Sequence, residues 1–513
     1  MRKTRPLIAV MAVMAVGILA LAGCSTGEGV DLGDGGADGD TGRVLIAAIG
    51  GEPDQLDPAK TSAYFSFQVL ENVYDTLIEP DENLEMQPAL AEDWEISEDQ
   101  LTWTFHLRED VSFHDGSPFT AADVVYSYER IMNEDLGPSW RFAAIDAVTA
   151  PDDTTVEIVL SQPTPNLLAL IGGYKGMAIV QQDNVESGDI TRNPIGTGPF
   201  ALDSYVSGDR ISLTANTDYW GGAPEIGGVE FRFISEGSTA LTALRGGEID
   251  WTDSVPVQQV QGLLGDDAIE LAVNPSNDYW YLALNQEREP WGDARARQAF
   301  AYAIDREAIL QATTFGTGTL NQLAIPEQSI WYTAFDGYRT DPDRAQELFD
   351  EVGFTGGTLE FLATSDFPET VTAAQIIADN VAPYGIEVEI TTVDFATWLD
   401  EQGSGNFGVF MLSWLGNLDP DEFYYAQHHS TGAFNFQGYS NPDVDALLDA
   451  GRVETDQVVR AEIYAEAATT IAEDASYIYL YNPSVIQAWA TDVTGYEARG
   501  DRAIRFRDVS FSG

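Results

Sequence analysis

Leu90–Arg130 reads "LAEDWEISEDQLTWTFHLREDVSFHDGSPFTAADVVYSYER". Within it Leu101, Trp103, Phe105 and Leu107 alternate onto one face of an extended chain, the pattern of a half-buried strand. A hairpin carrying His106 and His114 follows. Thr120, with Asp123 three residues on, then makes a capping-box start for a helix over "AADVVYSYERIM". Strand followed by capped helix is the unit from which the rest of the chain can be read.

Working outward, "RVLIAAIG" is an apolar strand that runs into a Gly-Pro-Asp turn. "AYFSFQVLENVYDTLIE" places Phe67, Leu70, Val73, Tyr74 and Leu77 at helical spacing. "TTVEIVLSQP" is a strand. "IGTGPFALDSY" is a tight turn entering a strand, with Gly196 and Gly198 able to take positive φ. Further on, "EFRFI" and "YWYLALN" read as strands and "STALTALRGGEID" as a helix ending at Gly246. Asp293 caps a helix over "ARARQAFAYAIDREAIL". Asp341 as cap, Pro342 at the first helical position and Gly353 beyond the end punctuate another helix, and Asn441 opens one of the same design. The alternation argues an α/β fold. At 513 residues, 44% of them hydrophobic, the chain is too long for one ordinary core, and two or three lobes are expected.

Eighty-three acidic residues stand against 25 Lys+Arg, a net charge of −58. Such a surface repels phosphate backbones and argues against nucleic acid as a partner. The charges are interleaved with apolar segments, unlike an acidic disordered tail. Only Lys3, Lys60 and Lys175 are lysines. Two readings fit: a genome that favours Arg, Ala, Gly and Asp, or a protein exposed to high salt, where screening tames self-repulsion.

The sole cysteine, Cys24, excludes an intrachain disulfide. Arg2, Lys3 and Arg5 precede an apolar run that ends in small residues, the shape of a secretory signal. "LAGC", Leu21–Cys24, resembles the lipobox of bacterial lipoproteins, which implies cleavage before Cys24 and acylation of its thiol. A single membrane-spanning helix is the other reading of the run. Residues 25–42, rich in Gly and Asp, have almost nothing to bury and read as a flexible tether. The expectation is a folded part held by lipid at the extracytoplasmic face of the cell membrane.

Signals of enzymatic chemistry are missing: there is no HExxH, CxxC, GxSxG or P-loop. "GSGNFG", Gly403–Gly408, matches GxGxxG, but a helix-like segment precedes it and a strand follows. It therefore reads as a helix-to-strand turn. Of the four histidines, His428 and His429 are adjacent, and neighbouring side chains diverge on a regular element. No cofactor or metal site is expected, and the chain is read as a non-enzyme.

The quoted stretch resembles the signature of extracellular solute-binding protein family 5, the large binding proteins of ABC importers for oligopeptides, dipeptides and nickel. "GGEPDQLDP", "NPIGTGPF", "LRGGEIDW", "LALNQEREPWGDARARQAFAYAIDRE", "DPDRAQELFDEVGF" and "QGYSNPDVDALLDAGR" follow in the family's order over nearly all of Arg43–Phe506. The resemblance implies a two-lobed clamshell joined by two crossing strands. A signal over 1–23 and a tether over 24–42 precede it. Lobe I comprises 43–86, 194–279 and 490–513, its extra subdomain 87–193, and lobe II 280–489. It implies a monomer that closes on a solute and meets permease and ATPase subunits. Peptides are the first ligand class; a neutral oligosaccharide or another small solute is the second, with nickel behind them. A signalling or chaperone receptor on the same fold is a further alternative.

In peptide-binding relatives Trp-x-x-Asp supplies an aspartate to the ligand ammonium. In "SWLGNLDPDEFYY" Trp414 matches, Asn417 stands at the aspartate's place and Asp419 lies two residues on. An amide hydrogen-bonds an ammonium without a counter-charge, and the charge-assisted bond is roughly twice as strong. The segment upstream has no arginine; Gln402 and Met411 occupy the places where some relatives hold the ligand carboxylate. Ligand contact is expected from Trp414, Asn417, Asp419, Phe395, Phe434, Asn435 and Phe436. From the crossing strands come Asn277 and Tyr279, and from the first lobe Glu52, Asp54 and Tyr64. Aromatic faces with amides suit neutral, hydroxylated or backbone-like ligands.

Overall fold

The computed structural model describes residues 42–81, 84–174, 176–414 and 418–512. The signal, Cys24, nearly all of the tether and Asn417 lie outside the described residues. Among the described residues no helix is long and apolar enough to cross a membrane.

Three large sheets carry the fold. The first runs Ile269–Pro275, Ser484–Ala490, Trp251–Thr252, Val44–Ile49, Gly228–Phe233, Arg210–Ala215 and Phe200–Val206. Val44–Ile49 is parallel to both neighbours, and the other pairs are antiparallel. The second runs Thr319–Leu320, Ile478–Asn482, Tyr279–Leu284, Val409–Trp414, Gly357–Thr364 and Ile386–Val393. The third is antiparallel, in the order Ala91–Ile96, Thr102–Leu107, Thr155–Leu160, Ile145–Asp152, with the helix Ala121–Asn133 beside it.

The central strands of the second sheet, Ile478–Asn482, Tyr279–Leu284 and Val409–Trp414, are buried on both faces. Leu282, Leu284 and Met411 pack into one apolar cluster, and Tyr281, Ala283 and Phe410 into another. That is why "YWYLAL" is apolar throughout rather than alternating. The third sheet has its own core, in which Trp103, Phe105 and Leu107 meet Val124, Tyr128 and Ile131.

The chain passes between the first and second sheets at Ser276–Asp278 and again at Pro483. The two crossings lie side by side: Ser276 N and Oγ both donate to Pro483 O, at 3.2 and 2.7 Å, and Asn482 Nδ2 donates to Asp278 O at 2.8 Å. Because Ser484–Ala490 pairs with Ile269–Pro275, the return to the first sheet falls at Pro483 rather than after Trp489.

Most expected elements form as read, including the capping box at Thr120. Helix Phe395–Gly403 and strand Val409–Trp414 flank "GSGNFG", which is a turn with Gly405 at φ +71°. Three details differ. The helix over 63–79 covers only Tyr64–Leu70. The next peptide groups serve a neighbour: Gly198 N donates to Val73 O and Phe200 N to Asn72 O, each at 3.0 Å. Gly196 and Gly198 do not take positive φ; a Cβ on either would run into the Val73 backbone, so close approach is what demands glycine there. The single helix expected after Asp293 is two, Ala294–Ala303 and Arg306–Thr314, because Asp305 caps the second through Ala308 N.

Candidate functional site

Above the crossings, a cavity of about 800 Å³ opens between parts of the chain far apart in sequence. Asn274 and Asn277 of the first crossing form one side. The hairpin residues Glu85 and Met86, together with Asn166 and Leu168 beyond the third sheet, form a second. The second lobe closes it with Ser329–Trp331, Leu418, Asp419 and Arg460. A volume of this size lies within the ~300–1,000 Å³ usual for ligand clefts.

The Asp419–Arg460 pair dominates the electrostatics. Arg460 Nη1 and Nη2 each donate to one Asp419 oxygen at 2.6 Å, and Nε donates to Gly451 O at 2.8 Å. Both side chains are buried. Burial works to lower the guanidinium's pKa, but the two hydrogen bonds and the charge of Asp419 hold it above its ordinary value. Asp419 Oδ1 also accepts Asp421 N at 3.0 Å, an Asx turn that leads through Pro420 into the helix Asp421–His428. The carboxylate is fully engaged within the protein.

Trp331 stands beside this pair, with the Arg460 guanidinium 5.0 Å from its ring centroid and Tyr464 edge-on at 6.5 Å. Asn166 is 5% exposed, and its Nδ2 has no partner among the described residues. Amides, one aromatic face and apolar side chains thus converge on the cavity.

Of the expected contacts, Asn277 and Asp419 lie on this wall. Trp414 is paired with Tyr279 in the sheet, and its ring packs 5.0 Å from Phe434, which lies 6.2 Å from Phe436. This aromatic row is half-buried and is not among the residues lining the cavity. Tyr279 is core, 2% exposed, with its hydroxyl donated to Gln427 Oε1 at 2.7 Å. Asn435 spends its amide on its own loop: Nδ2 donates to His429 O and Tyr439 O, and Oδ1 accepts Tyr439 N. Phe395 stacks on Trp398 and meets Phe367 edge-on. Asp54 accepts from Thr61 and Ser66 hydroxyls, both at 2.6 Å, and Glu52 from Tyr205, Ser207 and Gly208 N. Both brace turns of the first lobe. Tyr64 donates to Arg502 O at 3.4 Å.

Sequence reasoning missed Glu85, Asn166, Trp331 and Arg460. One signal was available for Trp331: residues 321–341 carry no helix or strand, and long unstructured loops in compact folds are commonly functional. His428 is buried and hydrogen-bonded at both ring nitrogens, to Ser476 Oγ and Tyr479 Oη, and burial depresses its pKa to about 3. Among the described residues no group of three or more His, Cys, Asp or Glu is placed to hold a metal.

Residues 85–435 match the family described as bacterial extracellular solute-binding proteins, family 5 Middle. The chain is 29% identical over 469 residues to the probable D,D-dipeptide-binding periplasmic protein DdpA of Escherichia coli K12, covering 88% of this chain and 91% of that one. It is 27% identical over 485 residues to the glutathione-binding protein GsiB of Pectobacterium atrosepticum, covering 92% and 94%. Among solved structures it is similar to the ABC transporter-associated periplasmic binding protein DppA of Helicobacter pylori in complex with the peptide STSA. That match has a TM-score of 0.79 and 27% identity, and covers 92% of this chain and 98% of that one. The match over 85–435 exceeds half of the sequence, and this two-lobed α/β chain belongs to the bacterial extracellular solute-binding proteins of family 5.

Proposed function

We propose that this chain is the extracytoplasmic receptor of an ABC importer, and that it encloses peptides in the cavity between its lobes. The observation that carries this reading is the cavity of about 800 Å³, walled by both lobes beside the paired crossings. Hinge closure around a ligand needs that arrangement. Its amides match the donors and acceptors of a peptide backbone, and Trp331, Leu168 and Met86 offer apolar contact for side chains. The relatives DdpA and DppA, named for peptide ligands, support the same reading. The receptor binds and closes without chemistry, acts as a monomer, and leaves ATP hydrolysis to separate subunits. Acylation of Cys24 tethers it to the membrane.

A thermal-shift screen of the purified protein against di- to hexapeptides, cello- and xylo-oligosaccharides and nickel tests the ligand class. A bound ligand raises the melting point by mass action. Peptides are expected to shift it. A shift with oligosaccharides and none with peptides overturns the reading in favour of a sugar receptor, for which Trp331 beside the wall amides is the specific support. Mass spectrometry of the mature N-terminus tests the anchor: a diacylated Cys24 is expected, and an unprocessed Met1 contradicts it.

A further inference from the structure

Among the described residues three charged side chains lie on the cavity wall: Glu85, Asp419 and Arg460. Asp419 and Arg460 neutralise each other through two 2.6 Å bonds. Glu85 makes no side-chain hydrogen bond or ion pair among the described residues, and it is exposed. The described neighbours are engaged elsewhere. Asp81 clamps the turn, accepting Glu85 N at 2.9 Å and Gln87 Nε2 at 3.0 Å. Arg499, next to the wall residues Ala498 and Gly500, turns its guanidinium onto Pro80 O and Asp81 O at 2.9 and 2.6 Å, and also onto Asp501. The nearby cation therefore pins the hairpin backbone instead of pairing with Glu85.

Among the described residues the wall thus carries one uncompensated negative charge and no uncompensated positive one, inside a protein of net charge −58. A partly enclosed cleft focuses such a field more than open water does. We propose that Glu85 makes this receptor selective for peptides bearing a cationic side chain, and that peptides carrying a carboxylate side chain at the same place are rejected. The inference rests on the peptide reading above. A ligand ammonium or guanidinium meeting Glu85 gains a charge-assisted hydrogen bond. A ligand carboxylate there meets repulsion that no cation among the described wall residues offsets.

The test is calorimetric titration of the full-length protein with Ala-based tetrapeptides that differ only by Lys, Gln or Glu at each position in turn. At one position the order Lys, Gln, Glu is expected, with about fivefold between steps, the scale of one partly exposed ion pair. Glu85→Gln is expected to flatten that order and Glu85→Lys to invert it, with melting points of the unliganded protein unchanged. The preference is expected to shrink on raising salt from about 0.05 to about 0.5 M. Equal affinities across the series, or an order that survives Glu85→Gln, overturn the charge selection while leaving peptide binding intact. Binding of none of the peptides overturns both.

Discussion

Arg141 and Glu422 meet across the two lobes, Nη1 to Oε1 at 3.3 Å, with side chains 8% and 2% exposed. Arg141 comes from the turn Ser139–Phe142 beside the third sheet, and Glu422 from the first turn of the helix Asp421–His428 in the second lobe. Separating the lobes returns both groups to water, whereas bringing them together buries each against the other. Removing one partner therefore penalises the closed form alone. Glu422→Gln is expected to weaken peptide binding by about 2 kcal/mol or more, roughly thirtyfold, with little change in the melting point of the unliganded protein. Pairing Arg141→Met with Glu422→Leu is expected to recover much of the loss, because an apolar pair has no desolvation cost. Undiminished affinity in Glu422→Gln contradicts the coupling of this pair to closure.

Trp331 presents the wall's aromatic face. Trp331→Ala is expected to lower affinity by about 1–3 kcal/mol, as for an aromatic anchor at the centre of an interface. The ligand-induced change in tryptophan fluorescence should fall in parallel. A variant that binds with unaltered affinity places the ligand elsewhere in the cavity.

The resemblance read from the sequence implies that Asn417 stands where an ammonium-binding aspartate is expected. Asn417→Asp is expected to tighten binding of peptides with a free N-terminus by about tenfold, the difference between a neutral and a charge-assisted bond. N-acetylated peptides should gain nothing. Comparing the two series by titration checks it, and equal or weaker binding of free peptides counts against that pose.

Glu71 lies in the first lobe near Arg505 and Asp501. Burial raises its pKa to about 7; Arg505 works against the rise and Asp501 adds to it. Between the ordinary value of 4.5 and about 7 the folded chain holds a proton that the unfolded chain has released. The stabilisation from this group is therefore full below the unfolded pKa and is lost as pH rises through about 7. Glu71→Gln is expected to gain about 1–2 kcal/mol relative to wild type on going from pH ~5 to pH ~8. Melting curves at the two pH values check this, and a pH-independent difference rules the titration out.

The strand and helix alternation, the capping box at Thr120 and the turns at Gly353 and Gly405 are local in cause, and each is legible in a short window. The same holds for the end-to-end order of family motifs, which carried the fold class. Where a neighbour distant in sequence competes for the backbone, the reading failed. Leu70 ends its helix because Asn72 and Val73 serve Gly198 and Phe200, and no periodicity within 63–79 records that.

Little of the candidate cavity was legible. Of the twelve residues expected to touch ligand, Asn277, next to a crossing, and Asp419, in a motif, line it. Tyr279 and Asn435 look the same in sequence, but their polar atoms are spent on Gln427 and on Tyr439 and His429. An aromatic or an amide carries no mark of whether its partner is the protein or a ligand; only the packed neighbours assign it. Glu85, Trp331 and Arg460 come from three separate segments, and nothing in any one of them announces the other two.

The sequence by itself determined the class of fold, the family and the acidic character, because these depend on local pattern and composition. The tertiary structure decided which charges remain available. Arg460 is claimed by Asp419 and Arg499 by the carbonyls of Pro80 and Asp81, so among the described residues Glu85 keeps no cation; that outcome depends on which long-range pairs form, and pairing in space is not written in spacing along the chain.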